Sequence, residues 1–146
     1  MDQHEYARLK DFLSFYAERY LGIERLPSEQ RPIAVLEAIE KKSPKRASSG
    51  LRQAINDCVE RSLRLPHREA EDLDAQLRAR GIVTLSELRR QYSRAYARIV
   101  RRGRINDEME YYLVRNVAND PTEKSADERR RLEQLLAVYE TVQRSG

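Results

Sequence analysis

A chain of 146 residues with a net charge of +4, from 28 basic and 24 acidic side chains, fits one domain that can bury roughly 70% of its unfolded surface without staples. Its 40% hydrophobic and 36% charged content suits amphipathic helices with charged outer faces and argues against disorder. A single cysteine, Cys58, excludes an internal disulfide framework and a multi-cysteine zinc site. No apolar run reaches the ~18 residues of a spanning helix, and the opening MDQHEYARLK lacks a signal peptide's basic and apolar regions, so the expectation is a cytoplasmic protein that does not enter the membrane.

Asp2 to Leu21 reads as a helix: Tyr6, Leu9, Leu13, Tyr16, Ala17 and Tyr20 share one arc, with Phe12 at its margin. Phe15 points nearly opposite, between Arg8 and Arg19, toward a second part of the fold or a partner; the core reading is favoured. Gly22 to Pro27 breaks the helix. Ser28, with Pro32 in the first turn, starts another that runs to about Lys42 and buries Ile33, Leu36 and Ile39.

Residues 41–50, KKSPKRASSG, read as a mobile basic loop. Pro44 opposes continued helix, the serines compete for backbone hydrogen bonds, and Lys41, Lys42, Lys45 and Arg46 have no nearby acid. Such a loop closes on a phosphate backbone or acts as a localisation signal; more often it is a solvated connection. A third helix, from Ser48 or Ser49 to Pro66, groups Leu51, Ala54, Ile55, Cys58, Ser62 and Leu65. Cys58 is then a packed hydrophobe, without the electropositive opening and base that a nucleophilic thiol needs.

Pro66 opens a short helix through Arg80 with Ala70, Leu73 and Leu77 inward and Gly81 as its stop. Glu69, Glu71, Asp72 and Asp74 load its first turns with acid, as the helix dipole favours. The stretch TLSELRRQYSRAYARIVRRG, from Thr84 to Gly103, predicts one continuous helix: Thr84 and Glu87 have capping-box spacing and Gly103 supplies the stop. Leu85, Leu88, Tyr92, Ala95, Tyr96, Ile99 and Val100 form its apolar arc, and Arg90, Arg94, Arg98 and Arg101 line the opposite face.

Asn106 is a candidate N-cap for a helix whose first turn holds Asp107, Glu108 and Glu110. Met109, Tyr112, Leu113 and Val117 form one apolar stripe and Tyr111, Val114 and Ala118 another, which predicts a helix sandwiched at the centre. Asn119, Asp120 and Pro121 end it. Ser125 and Glu128 repeat the capping-box spacing, and the final helix carries Leu132, Leu135, Leu136, Tyr139 and Val142 inward to about Arg144. With no strand-like alternation and no fixed repeat, the expected fold is an all-α, single-domain bundle of about seven short to medium helices spanning 1–146. A sub-division near Pro66 is open, but no linker is long enough to force it.

Candidate chemistry is sparse. His4 and His67 stand apart from any Glu-x-x-His or His-Glu-x-x-His pattern, and the five glycines are isolated, so no metal, cofactor or phosphate-loop residue is assigned. Ser48 and Ser49 lack a nucleophile-elbow spacing, and the paired carboxylates read as first-turn acids, so no catalytic residue is assigned and an enzyme is disfavoured. From Arg78 to Arg104 there are nine arginines against one acid, Glu87. Arginine suits carboxylates and phosphates, although a GC-rich genome favours the same bias. Acidic first turns at 69–74 and 107–110 offer internal partners for the row, and Tyr92 and Tyr96 fall on the apolar arc and not among the cations.

The preferred expectation is a non-catalytic helical interaction or regulatory module that binds another protein or its own copy. The alternative is a nucleic-acid-binding protein using Arg90, Arg94, Arg98 and Arg101 with Lys41, Lys42, Lys45 and Arg46.

Overall fold

A computed structural model describes residues 1–145, and every regular element among them is helical. The elements are α1 (Gln3–Tyr20), two single turns of 3₁₀ helix (Ile23–Arg25 and Ser28–Gln30), α2 (Pro32–Lys42), α3 (Pro44–Ser62), α4 (His67–Ala79), α5 (Leu85–Tyr92), α6 (Arg94–Arg102), α7 (Glu108–Asn119) and α8 (Ala126–Ser145). No helix among the described residues is long and apolar enough to cross a membrane. The chain forms two compact units: Met1–Arg64 with Leu77–Val83, and Leu65–Gln76 with the chain from Thr84 on. α4 therefore begins in the second unit and ends in the first.

In the first unit, α1, α2 and α3 pack against one another. Leu9, Phe12, Leu13, Tyr16 and Ala17 of α1 are buried, as are Leu36 of α2 and Ala47, Leu51, Ile55, Cys58 and Val59 of α3. Phe12, placed by periodicity at the margin, is fully buried. The Tyr6 hydroxyl donates to Glu40 Oε2 at 2.5 Å and Lys10 Nζ donates to the same oxygen at 3.0 Å, clasping α1 to α2. Phe15 is half-buried, with the Arg80 guanidinium 4.9 Å from its ring centroid. Gly81, in the left-handed region at φ 70°, turns the chain after α4 so that Ile82 N–H reaches the Leu77 carbonyl at 2.9 Å, a closure that favours glycine.

The expected basic loop at 41–50 is absent. Lys42 ends α2, Ser43 alone is extended, and Pro44 is the first residue of α3. Proline loses nothing at that position, because its missing N–H would have no helical partner there, and the Ser43 hydroxyl accepts from Arg46 N–H at 3.2 Å. A Ser-Pro pair read as a break is instead a helix start, so the third helix begins four residues before Ser48 and ends at Ser62.

In the second unit, the single helix expected over 84–102 is two. Ser93 has extended backbone (φ −75°, ψ 123°), donates its N–H to the Arg89 carbonyl at 2.9 Å, and accepts from Tyr96 N–H at 3.1 Å. One serine closes α5 and caps α6, which competes effectively with continuing the helix. The chain thus carries eight α-helices among the described residues, one more than the expected seven.

α7 packs against α5, α6 and α8, and buries Leu113, Val114, Asn116 and Val117. Met109, assigned to its inner stripe, is 57% exposed instead, and the helix buried all round is α5, whose residues Leu85, Ser86, Glu87, Leu88 and Arg89 are all buried. In α8, Leu132 and Leu135 are buried, whereas Val142, expected inward, is 60% exposed.

Candidate functional site

The eight cations proposed from sequence are divided between the two units. Lys41 and Lys42 occupy the last turn of α2 and Lys45 and Arg46 the first turn of α3, all exposed and all in the first unit. Arg90, Arg94, Arg98 and Arg101 belong to the second unit, but Arg90 lies on α5 and the other three on α6.

Arg90 is committed internally. Its Nε and Nη2 donate to the two oxygens of Glu87 at 2.7 and 2.8 Å, and its Nη1 donates to Glu128 Oε2 at 3.2 Å. The hydrogen bonds that Arg90 donates to Glu87 outweigh burial and push the guanidinium pKa further up. Arg102 pairs with Glu110 and the Arg104 carbonyl, and Arg89 is buried with partners of its own. Glu87 and Glu128 thus neutralise Arg90, and Glu110 neutralises Arg102. Arg94, Arg98 and Arg101 stay exposed, within about 60° of arc on α6, with no ion pair among the described residues.

Around the start of α5 lies a polar cluster that sequence reading did not assemble. The Thr84 hydroxyl accepts from Glu87 N–H at 3.1 Å, which is half of a capping box. The other half is missing: the Glu87 carboxylate, on a residue only 2% exposed, turns to Arg90 and to Gln91 Nε2 at 2.8 Å. The Thr84 hydroxyl also donates to Asp120 Oδ1 at 2.7 Å, Thr122 N–H donates to Asp120 Oδ2 at 3.1 Å, and Lys124 Nζ donates to the Asp120 and Thr122 carbonyls at 2.8 and 2.9 Å. On the other side, Asp74 accepts from Ser86 N–H at 3.1 Å and from the Ser86 hydroxyl.

The two aspartates titrate in opposite senses. Burial pushes the Asp74 carboxyl up despite the bonds from Ser86. Burial acts the same way on Asp120, but hydrogen bonds from Thr122 and Thr84 outweigh it and hold that carboxyl below its ordinary value. No buried side-chain nitrogen or oxygen among the described residues lacks a partner. A closed, fully bonded cluster of this kind fixes how helices meet. Only the Thr84–Glu87 spacing announced it; that Asp74 and Asp120 converge there depends on packing.

The second unit also carries an apolar groove of about 490 Å³ along α8. Its floor is one helical stripe, Arg131, Gln134, Leu135, Val138, Tyr139, Val142 and Gln143, and its wall is Val100 and the 103–106 connection, with Ile105 inward. Val138 and Val142 are 54% and 60% exposed on that floor, one turn apart. Gly103, left-handed at φ 77°, ends α6 beside them and turns the chain into α7. The charged residues lining the groove are Arg104 and Arg131, both exposed, and no carboxylate lines it. Periodicity alone placed Val142 inward with Leu135 and Tyr139, because it records spacing and not whether a neighbour is there to meet it.

Burial raises the Cys58 thiol to about 12, so it is protonated at neutral pH and carries no nucleophile. His67 stacks on Tyr112 with centroids 3.6 Å apart and planes 3° from parallel. No family model, no curated protein and no solved structure matches this chain.

Proposed function

We propose that this chain is a non-catalytic protein-interaction module, and that a segment of a partner protein seats in the α8 groove. The observation that carries the reading is the pair Val138 and Val142, more than half exposed on the floor of a groove walled by Val100 and Ile105. Scattered exposed aliphatics are ordinary, but aliphatics lined up inside a concave apolar surface mark a place where burial is gained on binding. The test is a photo-crosslinking residue at Gln134 or Val138 in the native host, with Val35 of α2 as an exposed control. A discrete protein adduct from the groove, lost on adding Val142→Asp and not formed from Val35, supports it. No adduct, or one indifferent to Val142→Asp, refutes it.

A second reading rests on a separate observation: Arg94, Arg98 and Arg101 are exposed and unpaired along α6, rising about 6 and 4.5 Å per step. Such a row suits successive phosphates of a nucleic acid. Under that reading a labelled single strand or duplex binds at low salt and weakens when Arg94 and Arg98 become alanine. Absence of any shift at low salt removes it.

A further inference from the structure

Resting on the groove reading, we infer that the occupant is an amphipathic α-helix of a different protein, with carboxylates flanking its apolar ridge.

The shape of the floor selects a helix. Residues 131, 134, 135, 138, 139, 142 and 143 follow the alternating three- and four-residue spacing of a seam that receives another helix, and they extend about 18 Å at 1.5 Å per residue. Three turns of a partner helix cover that length. An added β-strand has nothing to pair with, because the groove is bounded by helices whose backbone groups are internally bonded and the described residues contain no sheet edge. The exposed floor residues at 138 and 142 are short β-branched valines, which leave room for long side chains from the opposite ridge.

Charge selects the partner. Arg131 is exposed and makes no hydrogen bond or ion pair among the described residues, and the Arg104 Nε donates only to the uncharged Asn106 Oδ1 at 2.8 Å. The neighbouring Arg130 and Arg102 are instead paired, to Asp127 and Glu110. With two guanidiniums and no acid on the lining, a symmetric pairing of two copies sets arginine against arginine, because an isologous interface meets its own surface. A helix bearing Glu or Asp beside its apolar ridge completes those guanidiniums with charge-assisted hydrogen bonds.

The experiment uses fluorescein-labelled helical peptides of about 14 residues, just under four turns, with a leucine ridge at three- and four-residue spacing. One series flanks the ridge with glutamate and the other with lysine. Anisotropy is measured against the full chain, Arg131→Glu, and Val138→Asp/Val142→Asp, each checked for helicity; all three substituted positions are exposed, so the fold is retained. The expected result is binding of the glutamate series at least about ten-fold tighter than the lysine series, weakened by salt, with the preference reduced or inverted in Arg131→Glu and all binding lost in the double aspartate variant.

Equal binding of both series, unchanged by Arg131→Glu but lost in the valine variant, overturns this inference and leaves the groove reading standing. Failure of both series to bind, or glutamate-series binding that survives the valine variant, overturns the groove reading with it. Concentration-dependent dimerisation abolished by Val138→Asp/Val142→Asp identifies a second copy as the occupant and overturns the inference.

Discussion

Thr84→Val tests whether the polar cluster at the start of α5 holds the second unit together. The substitution keeps the branched shape and deletes a hydroxyl that accepts from Glu87 N–H at 3.1 Å and donates to Asp120 Oδ1 at 2.7 Å. Loss of an N-cap oxygen costs about 1 kcal/mol, and loss of a buried hydrogen bond to a carboxylate costs about 1.5–3 kcal/mol. The two losses share one atom and are not strictly additive, so the expected cost is about 3 kcal/mol, or roughly 6–12 °C in a chain of this length. Urea unfolding followed by circular dichroism measures it, with Thr84→Ser, which retains the oxygen, within about 1 kcal/mol of wild type. The pH dependence is a second check. Asp120 is held below its ordinary carboxyl value, so its contribution is present above about pH 4 and is lost as pH falls through the folded value. Removing the Thr84 donor raises that folded value, so the cost is full at pH 7 and narrows in acid. A cost below about 0.5 kcal/mol at pH 7, or a Thr84→Ser variant as damaged as Thr84→Val, refutes the assignment.

Gly50 and Gly103 form a matched pair: a methyl group added at either meets nothing within 4 Å, but Gly103 is left-handed and Gly50 is inside α3. Gly50→Ala is expected to stabilise by about 0.5–1 kcal/mol and Gly103→Ala to destabilise by about 1–2 kcal/mol in the same unfolding assay; equal signs contradict the backbone argument. Burial raises the Asp74 carboxyl, so the stability it contributes is present below about pH 4 and is lost as pH rises through the folded value. Unfolding measured from pH 3 to pH 7 therefore shows wild type losing ground to Asp74→Asn as pH rises, and a parallel pair of curves refutes the shift. Cys58, buried with its thiol raised to about 12, is expected to resist a disulfide reagent such as dithionitrobenzoate in native buffer and to react fully in guanidinium; rapid native labelling places it at the surface.

The helical class and most helix termini were readable because they rest on local chemistry. Gly81 and Gly103 turn left-handed after α4 and α6, as read, whereas Asp107 and not Asn106 caps α7, accepting from Glu110 N–H at 2.9 Å. The errors fall where one residue type serves opposite purposes. Ser43-Pro44 reads equally as a break or as an N-cap followed by proline at the first helical position, and Ser93 fits the 3.6-residue period whether or not the helix continues through it. The arginine row was legible as composition but not as a surface. Continuous periodicity put Arg90 beside Arg94, whereas the turn at Ser93 separates them and Glu87 with Glu128 takes Arg90 out of play. Asp74 looked like one more dipole-favoured acid; that Ser86 engages both its oxygens, twelve positions away, depends on how α4 meets α5.

The end of α6 at Gly103 also accounts for the groove. A helix covers its neighbour only along its own length, and α6, with 9 residues, is about 13 Å long against about 30 Å for the 20 residues of α8. α6 flanks the first part of α8, where the Tyr96 hydroxyl donates to Glu128 Oε1 at 3.3 Å, and its end reaches the groove at Val100 before Gly103 turns the chain away. α7 covers another side of α8, stacking Tyr111 on Tyr139 at 5.1 Å and donating the Tyr111 hydroxyl to Glu140 Oε2 at 2.5 Å. Neither neighbour covers Val138 and Val142. Val142 satisfies the inward period of α8 yet faces solvent because α6 ends at Gly103 and stops short of the last turns of α8. The exposed stripe therefore follows from helix length and not from a lapse in patterning, and any helix that docks there supplies the packing that α6 is too short to give.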